Sequence, residues 1–127
     1  MGKFVIRRVA TGIKFDLKAA NGETVATSEV YKTEAACRKG IESVCRSAEK
    51  AGIEDRTDPA GSVPANPKFV LYQDRTGFFR FRLCARNGHI IAVSEAYSTK
   101  SRCLEGIESV KINIISSEKG EKTGNCY

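Results

Sequence analysis

A stretch of this chain occurs twice, and that repetition limits the fold more than any other feature. Residues 15–44 read FDLKAANGETVATSEVYKTEAACRKGIESV, and residues 81–110 read FRLCARNGHIIAVSEAYSTKSRCLEGIESV. Gly22 and Gly88 set the offset at 66 residues, 88 minus 22, and no gap is needed between Phe15/Phe81 and Val44/Val110. About half of the paired positions are identical. A fixed-period repeat marks one supersecondary unit used more than once. At 127 residues the chain is one ordinary domain or two very small ones. A single helix over a small sheet rarely holds a core without disulfides, metal or a partner. The two copies are therefore expected to bury their apolar faces against each other.

Within the first copy, residues 3–9 (KFVIRRV) form a β-branched and aromatic run that ends at the turn signal Ala10-Thr11-Gly12. From Ile13 the chain alternates, with Ile13, Phe15, Leu17 and Ala19 on one side and Lys14, Asp16 and Lys18 on the other. A period of two with one apolar side predicts a half-buried antiparallel strand. Asn21-Gly22 supplies a tight hairpin turn, and residues 23–28 make the returning strand. Thr33 is a suitable helix N-cap, and Glu34 puts a negative charge in the first turn, where the helix dipole favours it. Cys37, Gly40, Ile41, Val44 and Ala48 then recur at helical spacing as a small-residue apolar face. Glycine in mid-helix costs about 1 kcal/mol relative to alanine, so Gly40 implies a close approach of the helix to the sheet or to its twin. Gly52-Ile53-Glu54 has the character of a short edge strand.

The second copy repeats the plan: a strand at 68–73, a turn at 74–77, and Phe79, Phe81, Leu83 and Ala85 as the buried side of the next strand. Asn87-Gly88 is the second hairpin turn and Thr99 the second N-cap; Cys103, Gly106, Ile107 and Val110 reproduce the helix face. Residues 111–115 fit either state, since Val110, Ile112 and Ile114 alternate like a strand while symmetry argues for helix to about residue 112. The expected fold class is α+β: two tandem β-β-β-α repeats packed as one pseudo-two-fold symmetric domain with an antiparallel sheet. The first repeat takes residues 1–54 and the second 68–113. A linker at 55–67, which holds all three prolines, is expected to be extended and solvent-facing, and a polar, loosely ordered tail follows at 114–127.

At its N-G-x-x-x-x-x-S-E-x-Y segment followed by G-I-E-S-V, the chain resembles the YegP-like family of small, mostly bacterial proteins of uncharacterised function. Asn21-Gly22, Ser28-Glu29, Tyr31 and Gly40–Val44 match in the first copy; Asn87-Gly88, Ser94-Glu95, Tyr97 and Gly106–Val110 match in the second. The resemblance covers most of residues 3–48 and 69–113. It implies an α+β fold in which three-stranded units and their helices pack as a pseudo-dimer, and it brings no activity, substrate or catalytic residue with it.

Composition narrows the function classes. Lys and Arg outnumber Asp and Glu by 21 to 15, a net charge of +6 that keeps a protein soluble and permits phosphate-rich partners without requiring them. The opening MGKFVIRRV has no long apolar core, Ile6 stands where a myristoylation signal needs Ser or Thr, and no stretch reaches the length of a membrane span. A cytoplasmic protein without membrane contact is expected. Five cysteines (Cys37, Cys45, Cys84, Cys103 and Cys126) form an odd set with no C-x-x-C spacing. Reduced thiols serving as small hydrophobes are expected, with Cys126 the reactive one, and neither a metal site nor a cofactor is indicated.

Three groups of residues are candidates for function. Ser28, Glu29 and Tyr31, with Ser94, Glu95 and Tyr97, could line a small polar site, or they could satisfy a turn and pack beneath the helix. His89 is the only histidine and has no nucleophile tied to it by a motif. Lys14 and Lys18 in one copy, and Arg80, Arg82 and Arg86 in the other, could form a basic stripe for a phosphate backbone, extended by Arg7, Arg8 and Arg75. The same charges could instead guard strand edges against pairing. The leading expectation is a non-catalytic binding or interaction module with a protein or nucleic-acid partner. The alternative is nucleic-acid or anionic-polymer binding through the basic strands, and third an enzyme built on the Ser-Glu-x-Tyr element.

Overall fold

The computed structural model describes residues 2–120. Seven strands form one sheet, β1 (Lys3–Val9), β2 (Gly12–Lys18), β3 (Thr24–Thr27), β4 (Gly52–Asp55), β5 (Lys68–Gln73), β6 (Phe79–Cys84) and β7 (Ile90–Val93). The two helices are α1 (Glu34–Lys50) and α2 (Lys100–Gly120). The sheet order is β1-β2-β3-β7-β6-β5-β4, so each copy contributes a three-stranded meander and the last strands of the two meanders meet in the middle. There Thr27 pairs with Val93. Since 27 plus 66 is 93, each residue faces its own counterpart, which places the pseudo-two-fold axis through this pair. Self-pairing of one surface is what two-fold symmetry requires of an interface.

The likeness extends to irregularities. A bulge interrupts the ladder between Leu17 and Lys18 and again between Leu83 and Cys84. Isolated bridges join Ile13 to Tyr31 and Phe79 to Tyr97. Gly22 and Gly88 both adopt positive φ, 87° and 88°, as their turns demand. Thr33 Oγ1 accepts from Ala36 N at 3.1 Å, and Thr99 Oγ1 accepts from Arg102 N at 3.1 Å, so both expected N-caps are formed.

A single contiguous cluster of buried side chains draws on both copies, with Phe15, Leu17, Ile41 and Val44 from the first and Phe69, Phe81, Leu83, Ile107 and Val110 from the second. Each helix straddles the axis: α1 packs on β2 and on β5, β6 and β7, while α2 packs on β6 and on β1 and β3. Fully burying each such Phe, Leu, Ile or Val contributes roughly 1.5–3 kcal/mol, and a half-molecule would forfeit much of that.

The sheet is antiparallel at every pairing but one, a correction to the all-antiparallel expectation. β4 follows α1, crosses to the other copy and lies parallel to β5, with Ile53 against Phe69. Parallel pairing needs a crossover connection, and the linker expected at 55–67 supplies it, less Asp55, which is the last residue of β4. α2 settles residues 111–115 as helix and continues through 116–120, so 114–120 of the stretch expected as a loosely ordered tail at 114–127 are helical. Lys111 explains part of this, since its ammonium donates to the Ala51 carbonyl at 3.2 Å and lies over the Phe69 ring. Cys37, Cys84 and Cys103 are buried free thiols. Cys45 is disulfide-bonded, which corrects the expectation of reduced thiols throughout; an odd count without C-x-x-C spacing does not exclude a bridge. Cys126 lies outside the described residues. No helix among the described residues is long and apolar enough to cross a membrane.

Candidate functional site

The Ser-Glu-x-Tyr element sits where β3 and β7 end. Ser28 is buried, and its hydroxyl accepts from Phe15 N at 2.9 Å and donates to the Glu29 carbonyl at 2.7 Å. Ser94 repeats the arrangement with Phe81 N and the Glu95 carbonyl at the same distances. Each hydroxyl thus satisfies two backbone groups as the chain leaves the sheet. Glu29 and Glu95 are exposed.

Tyr31 stacks on Phe15 with ring centroids 6.2 Å apart, and Tyr97 on Phe81 at 6.4 Å. Their hydroxyls lie against the helix glycines, where a Cβ on Gly40 would overlap the Tyr31 hydroxyl and one on Gly106 the Tyr97 hydroxyl. The close approach signalled by glycine in mid-helix is therefore made to a tyrosine wedged between helix and sheet. Burial, followed by the nearby Glu29, pushes the Tyr31 phenol above its ordinary value; burial does the same to Tyr97. Burial also raises the Cys103 thiol to about 11, so it stays protonated at neutral pH and a poor nucleophile. His89 is exposed in the second hairpin, where its backbone N donates to Asn87 Oδ1 at 3.0 Å. No metal-binding group of His, Cys, Asp or Glu occurs among the described residues.

The basic residues are arranged by strand alternation. Ile13, Phe15 and Leu17 point into the core beneath the helices, which sends Lys14, Asp16 and Lys18 to the opposite face of the sheet. In the second copy Phe81 and Leu83 point inward and Arg80 and Arg82 outward. Both helices lie on one side, so this opposite face carries no helix. The register brings Arg7 beside Lys14, Arg82 beside Val93, and Thr27 across the axis from Val93. Arg86 is separated from this group, lying in the hairpin after β6, exposed, in a cleft beside α1.

Three carboxylates on this side are engaged within the fold, while the exposed Glu95 acts on Arg80 only at longer range. Asp16 is 6% exposed; Arg7 Nε donates to its Oδ2 at 2.7 Å and Thr27 Oγ1 to its Oδ1 at 2.7 Å. Burial alone would raise its pKa, but the bonds from Arg7 and Thr27 outweigh burial and hold the carboxyl below the usual aspartate range. Asp74 accepts from Arg80 Nε at 2.8 Å and from Thr76, and these bonds lower it to about 2. Glu54 is paired with Lys68 at 2.7 Å and with Arg56 at 3.0 Å, which lowers it too. Lys14, Lys18 and Arg82 enter no ion pair among the described residues. The Arg82 guanidinium instead lies 4.8 Å from the Tyr72 ring centroid. Sequence reasoning missed Tyr72, although its alternation with Phe69 and Leu71 puts it on the basic face; the signal was there in the register of β5.

Comparison with known proteins accounts for the duplication. The model of a domain of unknown function, DUF1508, matches residues 10–55 and again 74–118. The UPF0339 protein plu2779 of Photorhabdus laumondii is 37% identical over 95 residues, 75% of this chain and 70% of its own. The solution structure of yegP from E. coli superposes with a TM-score of 0.68 at 32% identity, over 87% of this chain and 83% of that one. The chain belongs to the YegP-like family. A UPF0339 protein of Treponema denticola is 59% identical over 46 residues, 36% of this chain but 79% of its own, so that relative is about one repeat long. Both segments matched by the family model carry the Ser-Glu-x-Tyr turn and the helix glycine. The E. coli structure is described as that of a protein of unknown function, so membership of the YegP-like family fixes the fold and leaves the role to the surface.

Proposed function

We propose that this protein is a non-catalytic binding module that presents the helix-free face of its sheet to an anionic partner. The carrying observation is the uneven use of charge on that face. Asp16, Glu54 and Asp74 are neutralised by neighbours, whereas Lys14, Lys18 and Arg82 enter no ion pair among the described residues, Lys14 acting on Asp16 only at longer range. A surface with most of its anions satisfied and several cations outside ion pairs attracts a polyanion, and a phosphate backbone is the most common one. The engagement of the Ser-Glu-x-Tyr element supports binding over catalysis. Its serines are committed to backbone groups and its tyrosines are packed, with pKa values moved away from neutrality.

The test is anisotropy of labelled single-stranded and duplex oligonucleotides over a salt series. Binding through this face should give log K against log[salt] a slope of about −0.7 to −0.9 per phosphate contacted. Lys14→Ala with Arg82→Gln should weaken binding and flatten the slope. Arg80→Ala is the less informative variant, because it also frees Asp74 and adds a negative charge to the face. Absence of binding at low salt, to single and double strands alike, overturns the anionic-partner reading and leaves a protein partner for the same face.

A further inference from the structure

On the side of the molecule away from the basic sheet face, α1 and the second Asn-Gly hairpin enclose an open cleft of about 500 Å³, a volume that suits a small-molecule ligand. Ser43, Arg46, Ser47 and Lys50 fall at helical spacing, so one face of α1 forms a wall. Arg86 joins them from the hairpin, and no Asp or Glu among the described residues lines the cleft. Lys50 and Arg86 enter no ion pair among the described residues, and Arg46 has only a 3.8 Å pair with Glu42 in which both side chains are largely exposed. Such an exposed pair holds its arginine weakly. Ser47 is 6% exposed, and its hydroxyl has no hydrogen-bond partner among the described residues.

The second copy shows which of these residues the fold needs. Ser43 recurs as Ser109, but Arg46, Ser47, Lys50 and Arg86 correspond to Ile112, Asn113, Ser116 and Ala20. In that half Asn113 turns back on its own helix, donating to the Ser109 carbonyl at 2.8 Å and to Ser109 Oγ at 3.0 Å. Gly2 packs so closely on Asn113 that a Cβ would overlap it. Arg46, Lys50 and Arg86 thus have no cationic counterpart in the second copy. The same fold forms without the three cations, so packing does not demand them. Attraction of Lys50 to the negative helix end explains one cation, Arg46 has only its weak exposed pair with Glu42, and Arg86 has no ion pair among the described residues.

We propose that this cleft binds the phosphate monoester of a small molecule, with Arg46, Lys50 and Arg86 neutralising the dianion and Ser47 donating a hydrogen bond. Arginine presents a planar fork that matches phosphate oxygens, and two arginines with a lysine suit a doubly charged group better than a single carboxylate. The ligand binds at a place distinct from the sheet face, so the two readings stand or fall separately.

The test is a ¹⁵N–¹H correlation titration of the full chain with adenosine monophosphate at constant ionic strength, with chloride and adenosine as controls. Saturable shifts are expected at Ser43, Ser47, Arg86 and Asn87, absent with adenosine. Arg46→Gln and Arg86→Gln should each weaken binding by about tenfold or more, the loss expected for a charge-assisted contact. Arg82→Gln, on the sheet face, should leave it unchanged. An oligonucleotide without terminal phosphates serves as the second arm, since its phosphodiesters are singly charged. The proposal is overturned if adenosine monophosphate gives no saturable shifts, or if neither Arg46→Gln nor Arg86→Gln weakens them. Stronger shifts of the same residues by the oligonucleotide also overturn it, by assigning the cleft to nucleic acid.

Discussion

Replacing Gly40 with alanine sets two known effects against each other. In an open helix the change should stabilise by about 1 kcal/mol, because alanine is the best helix former and glycine among the worst. Here the added methyl meets the Tyr31 hydroxyl, lies 2.7 Å from Tyr31 Cζ, and 3.2 Å from Phe15 Cε2. Phe15 is fully buried and the partly buried Tyr31 is stacked on it, so relief requires one of two packed rings to shift. Overpacking of this kind costs about 1–3 kcal/mol, occasionally more. The clash should offset the propensity gain or exceed it, with a net destabilisation of up to about 2 kcal/mol, or up to roughly 8 °C in Tm for a domain of this size.

The origin of that cost is testable in a double-mutant cycle. Tyr31→Phe removes the hydroxyl that the new methyl overlaps while keeping the ring, so Gly40→Ala should cost less in that background. A coupling energy of at least about 0.5 kcal/mol is expected for groups in contact. Gly106→Ala should show a similar loss, since its Cβ would lie 3.0 Å from Phe81 Cε2 and would overlap the Tyr97 hydroxyl. Urea denaturation of the four Gly40 and Tyr31 variants gives all the terms. A raised midpoint for Gly40→Ala, or a cycle that closes without coupling, would refute the tyrosine wedge as the reason for the glycine.

Ile41→Ala and Ile107→Ala, both essentially inaccessible to solvent, should each cost about 2–5 kcal/mol in the same assay. Ser28→Ala and Ser94→Ala remove the acceptors for Phe15 N and Phe81 N and should each destabilise by about 1–3 kcal/mol without loss of anion binding. Cleaving the chain near Ala60 should give halves that are unfolded or self-associated by sedimentation, because α1 and α2 each pack on strands of both copies; a monomeric half with cooperative unfolding contradicts a shared core. Asp74 is lowered to about 2 by Arg80 and Thr76, so its contribution to stability is present above the unfolded aspartate value, near 4, and is lost as pH falls through about 2. Arg80→Ala should raise the Asp74 pKa observed by NMR; an unchanged value would show that the ion pair does not form in solution.

The sequence made the architecture readable because its strongest signals are local and each occurs twice. Asn-Gly turns, threonine N-caps and a strict period of two are fixed by backbone sterics and by one buried face, and symmetry doubles each observation. The parallel pairing of β4 with β5 was not legible, since Gly52–Asp55 carries no alternation that names a partner; only the path of α1 across the axis brings it there. Burial of Asp16 was hidden for a related reason. Alternation assigns it correctly to the face opposite the core, but its cover comes from Arg7 on a strand paired in register and from Thr27, contacts that no periodicity encodes. The same limit scattered the basic residues. Arg86 follows Arg80 and Arg82 in sequence at intervals that suggest one stripe, yet the hairpin turns the chain before Arg86 and delivers it to α1. What the repeat does reveal, once the structure aligns the halves, is where the copies disagree. Residues common to both account for turns, caps, wedge and core. At an open surface, the differences at Arg46, Lys50 and Arg86 are those that a shared fold cannot require, which makes the asymmetric cleft the sharper place to look for what this chain does that its own second half does not.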